Sequence, residues 1–197
     1  MKTGVIILAA GSSSRLGRPK QLIEYQGKNL IKRTIDVVLA SEANFIVVVL
    51  GWNPNLIKAG IQTESVHFVE NESWEEGMTA SMQAGLVWYM ASNNKVDTPD
   101  QILILTCDQI KVDTDLINRM IKEKEESGKG IVACKYSDTL GVPAIFDAKY
   151  FDELLELNRN EPAKKLIFRN LSDVFTIDFP LGSIDIDTEE DLQNLVD

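Results

Sequence analysis

The chain has 197 residues, 44% of them apolar and 25% charged, with thirty Asp and Glu against twenty Lys and Arg for a formal net charge of −10. That length encloses a real hydrophobic core in one α/β unit and excludes a solenoid array or a disulfide-stapled miniprotein, while the composition excludes wholesale disorder. An acidic balance of this size disfavours nucleic acid or an anionic membrane surface as a partner, and no segment has the ~18–20 consecutive apolar residues that span a bilayer.

The charge is unevenly spread. Residues 1–33 hold Lys2, Arg15, Arg18, Lys20, Lys28, Lys32 and Arg33 against Glu24 alone, a local +6 that leaves −16 on the other 164 residues. A short basic segment in an acidic chain points to a site for a small anion, although solvated surface charge is the commoner meaning of such a cluster. Cys107 and Cys134 are too few for a disulfide framework and lack CxxC spacing, so a reducing cytosol is the expected compartment. The start, MKTGVIILAAG, lacks the longer apolar region and cleavage site of a signal peptide.

In chain order, residues 3–9, 45–50, 66–69 and 102–105 are wholly apolar runs rich in Val, Ile and Leu, the pattern of strands covered on both faces. Segments 30–41, 55–60 and 78–91 between them repeat their apolar positions at helical spacing. Strand, helix, strand, repeated, predicts an α/β fold of three layers: a mostly parallel twisted sheet, right-handed crossovers and helices on both faces. Residues 92–100 read as a polar surface loop. Residues 113–126 predict a helix with a charged outer face, 130–135 and 142–146 strands at a sheet edge, 148–158 and 163–170 helices, and 174–177 a strand. Thr188 with Asp191 three residues on forms a capping signature for a short helix through Leu195. All 197 residues read as one domain, in two halves, 1–110 and 111–197.

The strongest chemical signal is LAAGSSSRLGRPK, Leu8 to Lys20, directly after the first strand. Ligands of open α/β sheets bind beyond the carboxyl ends of the strands, where this loop lies. Gly11 and Gly17 allow close backbone approach, Ser12, Ser13 and Ser14 add donors, and Arg15, Arg18 and Lys20 add positive charge, a combination suited to a polyphosphate. The loop is neither a GxGxxG dinucleotide fingerprint nor a Walker P-loop. Asp108 follows ILILT at a strand end, where its carboxylate can hold Mg²⁺; Asp185 and Asp187 share a face if that segment is extended. Asp185 serves equally well as a turn residue.

Four ordered motifs carry a resemblance that covers nearly the whole chain. The loop just described, NESWEEGMTASMQAG at 71–85, CDQ at 107–109 and DIDTEEDL at 185–192 together resemble the molybdenum cofactor cytidylyltransferase-like branch of the MobA-related nucleotidyltransferases. The resemblance implies a Rossmann-like nucleotidyltransferase fold and transfer of CMP from CTP to a phosphorylated acceptor, with Mg²⁺ as cofactor and pyrophosphate released. It implies Arg15, Lys20 and Asp108 in catalysis, Asp108 and Asp187 on the metal, and Leu8, Ala9, Ala10, Gly11, Asn71 and Ser81 against the substrate. Asn71 would hold the loop that frames the base, and Trp74 either stacks on ligand or anchors that loop.

By the same resemblance LAAG, in place of the LAGG of guanylyltransferases, favours cytidine, although one methyl on Ala10 is worth only ~1–3 kcal/mol. Molybdopterin is the implied acceptor, and a molybdoenzyme or its chaperone the implied recipient of product. Three departures bear on that acceptor: NRNEPAKK at 158–165 replaces the family's Gly-Asp-x-Gly-Ala element, Ile110 stands where proline is frequent, and Val142 where histidine is frequent. Alternatives are GTP, a sugar- or polyol-phosphate acceptor, or a non-catalytic nucleotide-binding protein; the missing fingerprint opposes a dinucleotide-dependent oxidoreductase. His67 and Cys107 read as structural residues, and Glu123, Glu125 and Glu126 as a solvated helix face.

Overall fold

The structure is a computed structural model that describes residues 1–61, 65–91, 98–159 and 161–193. It begins with β1 (Thr3–Ala9), whose following loop carries a 3-10 turn at Lys20–Leu22 and a small ribbon, β2 (Glu24–Tyr25) and β3 (Lys28–Asn29). Asn29 caps α1 (Leu30–Leu39), its side chain accepting from the Lys32 N–H at 2.9 Å. β4 (Phe45–Leu50), α2 (Pro54–Ala59), β5 (His67–Glu70), a 3-10 turn at Trp74–Glu76, α3 (Met78–Ala91) and β6 (Gln101–Thr106) follow. Asp113 caps α4 (Thr114–Ser127) through the Leu116 N–H at 2.8 Å. The chain continues through β7 (Ile131–Tyr136), β8 (Thr139–Asp147), α5 (Phe151–Glu156), α6 (Lys164–Arg169), β9 (Val174–Asp178), a 3-10 turn at Pro180–Ser183 and α7 (Glu189–Gln193).

Seven strands form one sheet in the order β5-β4-β1-β6-β8-β7-β9, parallel except for β8. Side chains alternate across β1: Val5, Ile7 and Ala9 join Ile31 and Ile35 of α1 and Ile117 and Met120 of α4, while Ile6 and Leu8 join Met82 and Leu86 of α3, Leu154 of α5 and Leu166 of α6. Helices therefore cover both faces of a mostly parallel sheet, as expected. Gly85 explains how closely α3 lies, since a Cβ there would stand 2.8 Å from Ile6 Cγ2 and 3.0 Å from Val49 Cγ2. The small face of this helix serves strand packing at Gly85.

β7 and β8 lie inside the sheet, contrary to the expected edge position. Ile131 to Cys134 are fully buried, and β9 pairs with β7 in parallel to take the edge itself. Ser137 and Asp138, both at positive φ, make the two-residue turn between Tyr136 and Thr139 that sends β8 back antiparallel. The expected loop at 92–100 lies outside the described residues except for 98–100, as does the end of the helix expected through Leu195.

Two features position the site. β4 and β5 extend the sheet on one side of β1 and β6 returns on the other, so the carboxyl ends of β1 and β6 flank the point where strand order reverses. A third apolar cluster of Leu16, Ile23, Leu30, Ile110 and Ile186 lies beside that point and joins the first loop, the turn after β6 and the segment before α7.

Candidate active site

The loop after β1 is held from behind. Fully buried Gln21 donates its amide to the carbonyls of Ala9 at 2.9 Å and Gly11 at 2.8 Å, and the Trp52 N–H donates to the Ala10 carbonyl at 3.0 Å. Ser13, at φ 56°, accepts the Lys20 N–H on its hydroxyl at 3.0 Å, and buried Leu16 anchors the arc in the third cluster. With three successive carbonyls tied back, Arg15 and Lys20 are carried over the strand ends.

Lys20 is the hinge of the electrostatics. Its ammonium bonds to Asp108 Oδ2 and, at 3.0 Å, to Asp187 Oδ1, while Arg15 Nη2 donates to Asp187 Oδ2 at 2.7 Å. Burial works against the charge on Lys20, but the neighbouring carboxylates outweigh it and raise its pKa. Burial would raise Asp187 too, yet Lys20 and Arg15 hold its carboxyl below the usual range. Asp185 goes the other way: burial and then the charges of Asp108 and Asp187 push it up. Fully buried Ile186 lies between Asp185 and Asp187, so burying the middle residue leaves both carboxylates on the cavity side. A reciprocal cap fixes this segment: the Thr188 N–H donates to Asp191 Oδ2 at 2.7 Å, the Asp191 N–H to Thr188 Oγ1 at 3.2 Å, and the Asp187 N–H to Asp191 Oδ2 at 3.0 Å.

Oxygens of Asp108, Asp185 and Asp187 can all lie within 4.8 Å of one another. An all-carboxylate set fits a hard divalent cation, and the Lys20 ammonium among the same oxygens shows that they already accommodate positive charge.

Leu8, Ala10, Gly11, Arg15, Lys20, Ser81, Asp108 and Asp187 line one cavity of about 350 Å³. Ala9 and Asn71 stand behind it. Ala9 packs in the core, and buried Asn71 donates to Ser81 Oγ at 3.1 Å while accepting the Ser73 N–H at 3.0 Å. Arg18 is exposed and is not among the lining residues. Trp74 does line the cavity and also packs on Gly51, where a Cβ would lie 2.3 Å from the Trp74 Cβ.

A second cavity of about 350 Å³ adjoins the first, sharing Met78, Thr106 and Asp108 and adding Tyr136, Thr139, Val142, Ser183 and Asp185. Gln109 ties its walls together, donating to the carbonyls of Val142 and Gly182, each at 3.0 Å. Burial and the charge of Asp108 push the Cys107 thiol up to about 12, which suits packing rather than nucleophilic attack. His67 is stacked on Trp88, ring centroids 4.6 Å apart.

Sequence reasoning missed the props, Gln21 and Gln109. Each directly follows a residue singled out for chemistry, but nothing local shows that the amide turns inward. Thr106 and Met78 went unassigned because membership of the wall depends on where β6 ends and α3 begins.

Residues 5–174 match the profile of the MobA-like NTP transferase domain. The chain belongs to that family. This MobA-like NTP transferase is 32% identical over 120 residues to nicotine blue oxidoreductase from Paenarthrobacter nicotinovorans, covering 60% of the chain and 55% of the relative. It is 31% identical over 140 residues to 2-C-methyl-D-erythritol 4-phosphate cytidylyltransferase from Prochlorococcus marinus, covering 70% and 60%. These matches span little more than half of each relative's length.

Among solved structures, Rv0371c from Mycobacterium tuberculosis superposes with a TM-score of 0.81 at 27% identity, over 99% of this chain and 97% of that one. The same protein in complex with manganese gives 0.73 at 22% identity, over 99% and 98%. The MobA-like NTP transferase thus has the Rossmann-like fold of the nucleotidyltransferases. Among its described residues no helix is long and apolar enough to cross a membrane.

Proposed function

We propose that this MobA-like NTP transferase moves a nucleoside monophosphate, CMP from CTP, onto a phosphorylated acceptor, with molybdopterin the leading candidate. The observation that carries the reading is Lys20 bridging Asp108 and Asp187, with Arg15 on Asp187, at the wall of one cavity. Residues 1–110 take the nucleotide and 111–197 the acceptor, with Asp187 of the second half on the wall of the first cavity and Asp108 of the first half on the walls of both. Asp108 and Asp187 would hold Mg²⁺, with Asp185 beside them; when bound, the ion supplies charge neutralisation along the triphosphate. A relative's manganese complex supports a divalent cation in this fold.

An oxygen of the acceptor phosphate forms a new bond to the α-phosphorus of CTP, the bond from that phosphorus to the β-phosphate bridging oxygen breaks, and pyrophosphate leaves with the electron pair. The attacking oxygen is already ionised, so no residue has to remove a proton. Arg15 and Lys20 orient the triphosphate and stabilise charge on the departing pyrophosphate. The tied-back loop from Ala9 to Gly11 and the Ser81 hydroxyl, oriented by Asn71, frame the nucleoside. The product goes to a molybdoenzyme or its chaperone, in the cytoplasm.

The test is pyrophosphate release with CTP, GTP, ATP and UTP, with and without Mg²⁺, in the presence of molybdenum-loaded molybdopterin. Release with CTP and Mg²⁺ above the other nucleotides is the expected result; no release with any nucleotide rejects this acceptor. One observation favours a second reading. The match to nicotine blue oxidoreductase places a redox enzyme's name among the relatives, and tight NADH or NADPH binding with no pyrophosphate release from any acceptor would select it.

A further inference from the structure

The basic segment read from the sequence does not act as one patch. Arg15 and Lys20 reach the site, while Lys28, at 2.7 Å, and Lys32 both bond to the Asp36 carboxylate. Arg33, on α1, turns toward the protein instead. Its Nη2 donates to the Ile110 carbonyl at 3.3 Å and its Nη1 to Gln26 Oε1 at 3.3 Å, with the guanidinium 5.4 Å from the centroid of the Tyr25 ring. The next residue, Thr34, shares its hydroxyl proton between the Leu30 carbonyl of its own helix, at 3.0 Å, and the Cys107 carbonyl, at 3.4 Å.

Cys107 and Ile110 are the two ends of the turn that carries Asp108. Its inner carbonyls are satisfied locally, the Ile110 N–H donating to Asp108 at 3.0 Å and the Val112 N–H to Gln109 at 3.1 Å. The outer two carbonyls depend on consecutive side chains of α1. Arg33, Thr34, Cys107 and Ile110 enclose a cavity of only about 10 Å³, so the helix and the turn close on each other almost completely. On its other side the turn is packed through Ile110 against Leu16 and Ile186. Arg33 Nε is buried without a protein partner among the described residues, which costs stability that an unbranched apolar side chain of similar length would keep. What the apolar side chain lacks is the planar fork that reaches two acceptors at once.

We infer that Arg33, assisted by Thr34, is a positioning residue: it fixes the turn from Cys107 to Ile110 and thereby the place of the Asp108 carboxylate opposite Lys20. The inference rests on the reading in which Asp108 holds the divalent cation. Arg33 is not among the residues that line either large cavity, so it acts through the turn. Tyr25 and Gln26 belong to the ribbon that follows the Lys20 turn, and the Leu30 N–H ties that ribbon to α1 through the Ile23 carbonyl at 3.0 Å. One guanidinium thus spans the lysine's loop and the aspartate's turn, which are 88 residues apart in the chain.

Arg33→Met keeps much of the length and removes the fork, and Thr34→Val keeps the shape and removes the hydroxyl. Hydrogen exchange of the peptide carrying the Ile110 and Val112 amides reads the turn without any ligand. In Arg33→Met that peptide should exchange about tenfold faster while β1 and β4 keep the wild-type rate; an unchanged turn, or acceleration throughout the sheet, overturns the inference. Mn²⁺ affinity by calorimetry should fall about tenfold, as when a support behind a metal ligand is lost, and wild-type affinity overturns the inference too. Turnover should show a lower kcat with the KM for CTP within about twofold of wild type. Arg33→Lys keeps the charge but not the fork, so it should stay closer to Arg33→Met than to wild type; full recovery would show that charge alone matters. Should Arg33→Met fail to fold, Thr34→Val carries the same measurements, and wild-type exchange and affinity there overturn the inference. Wild type that binds no Mn²⁺ counts against the metal reading, while exchange at the turn still decides whether Arg33 holds it.

Discussion

At Lys20 burial and charge pull in opposite directions, and the carboxylates win. The side chain therefore stays protonated through the neutral range and can meet a phosphate only as a cation. Lys20→Ala is expected to lower pyrophosphate release about 10²–10³-fold, the size of effect seen when one positioned charge-stabilising donor is lost. The same change removes the cation that sits among Asp108 and Asp187, so Mn²⁺ binding measured by calorimetry should tighten; weaker binding would show that Lys20 helps to build the metal site. Asp108→Ala should also abolish most turnover while keeping part of the nucleotide affinity, and unchanged turnover would remove Asp108 from the proposed metal set. Chemistry at both positions was legible from residue type and place: a lysine in a Gly/Ser loop after one strand, and an aspartate at the end of another. The pairing of the two was not legible, because they are 88 residues apart and meet only where β1 and β6 lie side by side.

Among the elements, α3 depends most on one small residue. Gly85→Ala places a methyl 2.8 Å from Ile6 Cγ2, and overpacking of this kind costs ~1–3 kcal/mol. Thermal unfolding should report it as a drop of several degrees, because ~1 kcal/mol moves the midpoint of a chain this size by ~2–4 °C; a drop of less than a degree would mean that α3 moves away from the sheet without cost. At α4, Asp113→Ala removes the cap on the Leu116 N–H and is expected to cost ~1 kcal/mol, read from the urea midpoint. The strands and helices of the main sheet in the first half were recoverable almost to the residue, since β1, β4 and β6 are largely apolar runs and α3 a continuous helical one, whereas the short ribbon of β2 and β3 was not foreseen. β7 and β8 were found but misplaced. A run of four buried residues tells that both faces are covered; which strand lies on either side of it is a property of distant pairing, here with β9.

For the whole molecule, Asp173 joins the start of the edge strand β9 to the residues just before β7 and just after β8. Lys149 bonds its carboxylate, the Tyr150 hydroxyl donates to it at 2.7 Å and the Gly130 N–H at 3.0 Å, and these partners hold it well below the ordinary carboxylate range. Since the folded-state pKa is depressed, this contribution is fully present above the unfolded value, about 3.8, and is lost as pH falls through the folded value. Wild type should therefore lose stability toward acid more steeply than Asp173→Asn, measured as urea midpoints from pH 7 to pH 3. Parallel curves would show that the triad contributes nothing to the acid limb.

Taken alone, the amino-acid order determined the fold class, the basic Gly/Ser character of the first loop and four ordered motifs, because periodicity, glycine placement and local charge are short-range properties. It also located the basic segment within a chain of net charge −10. The tertiary structure decided the rest. It brought three carboxylates and one lysine to the reversal point of the sheet, put Asn71 and Gln21 behind the site as supports, and set a cavity lined by Arg15 and Lys20 together with Glu75, Asp108 and Asp187 beside one lined, among the described residues, without cations. The meeting of Lys20 with Asp108 and Asp187 comes from contacts 88 and 167 residues apart in the chain, where burial of Ile186 and Leu16 in one apolar cluster, rather than any local preference, sets which polar groups face each other.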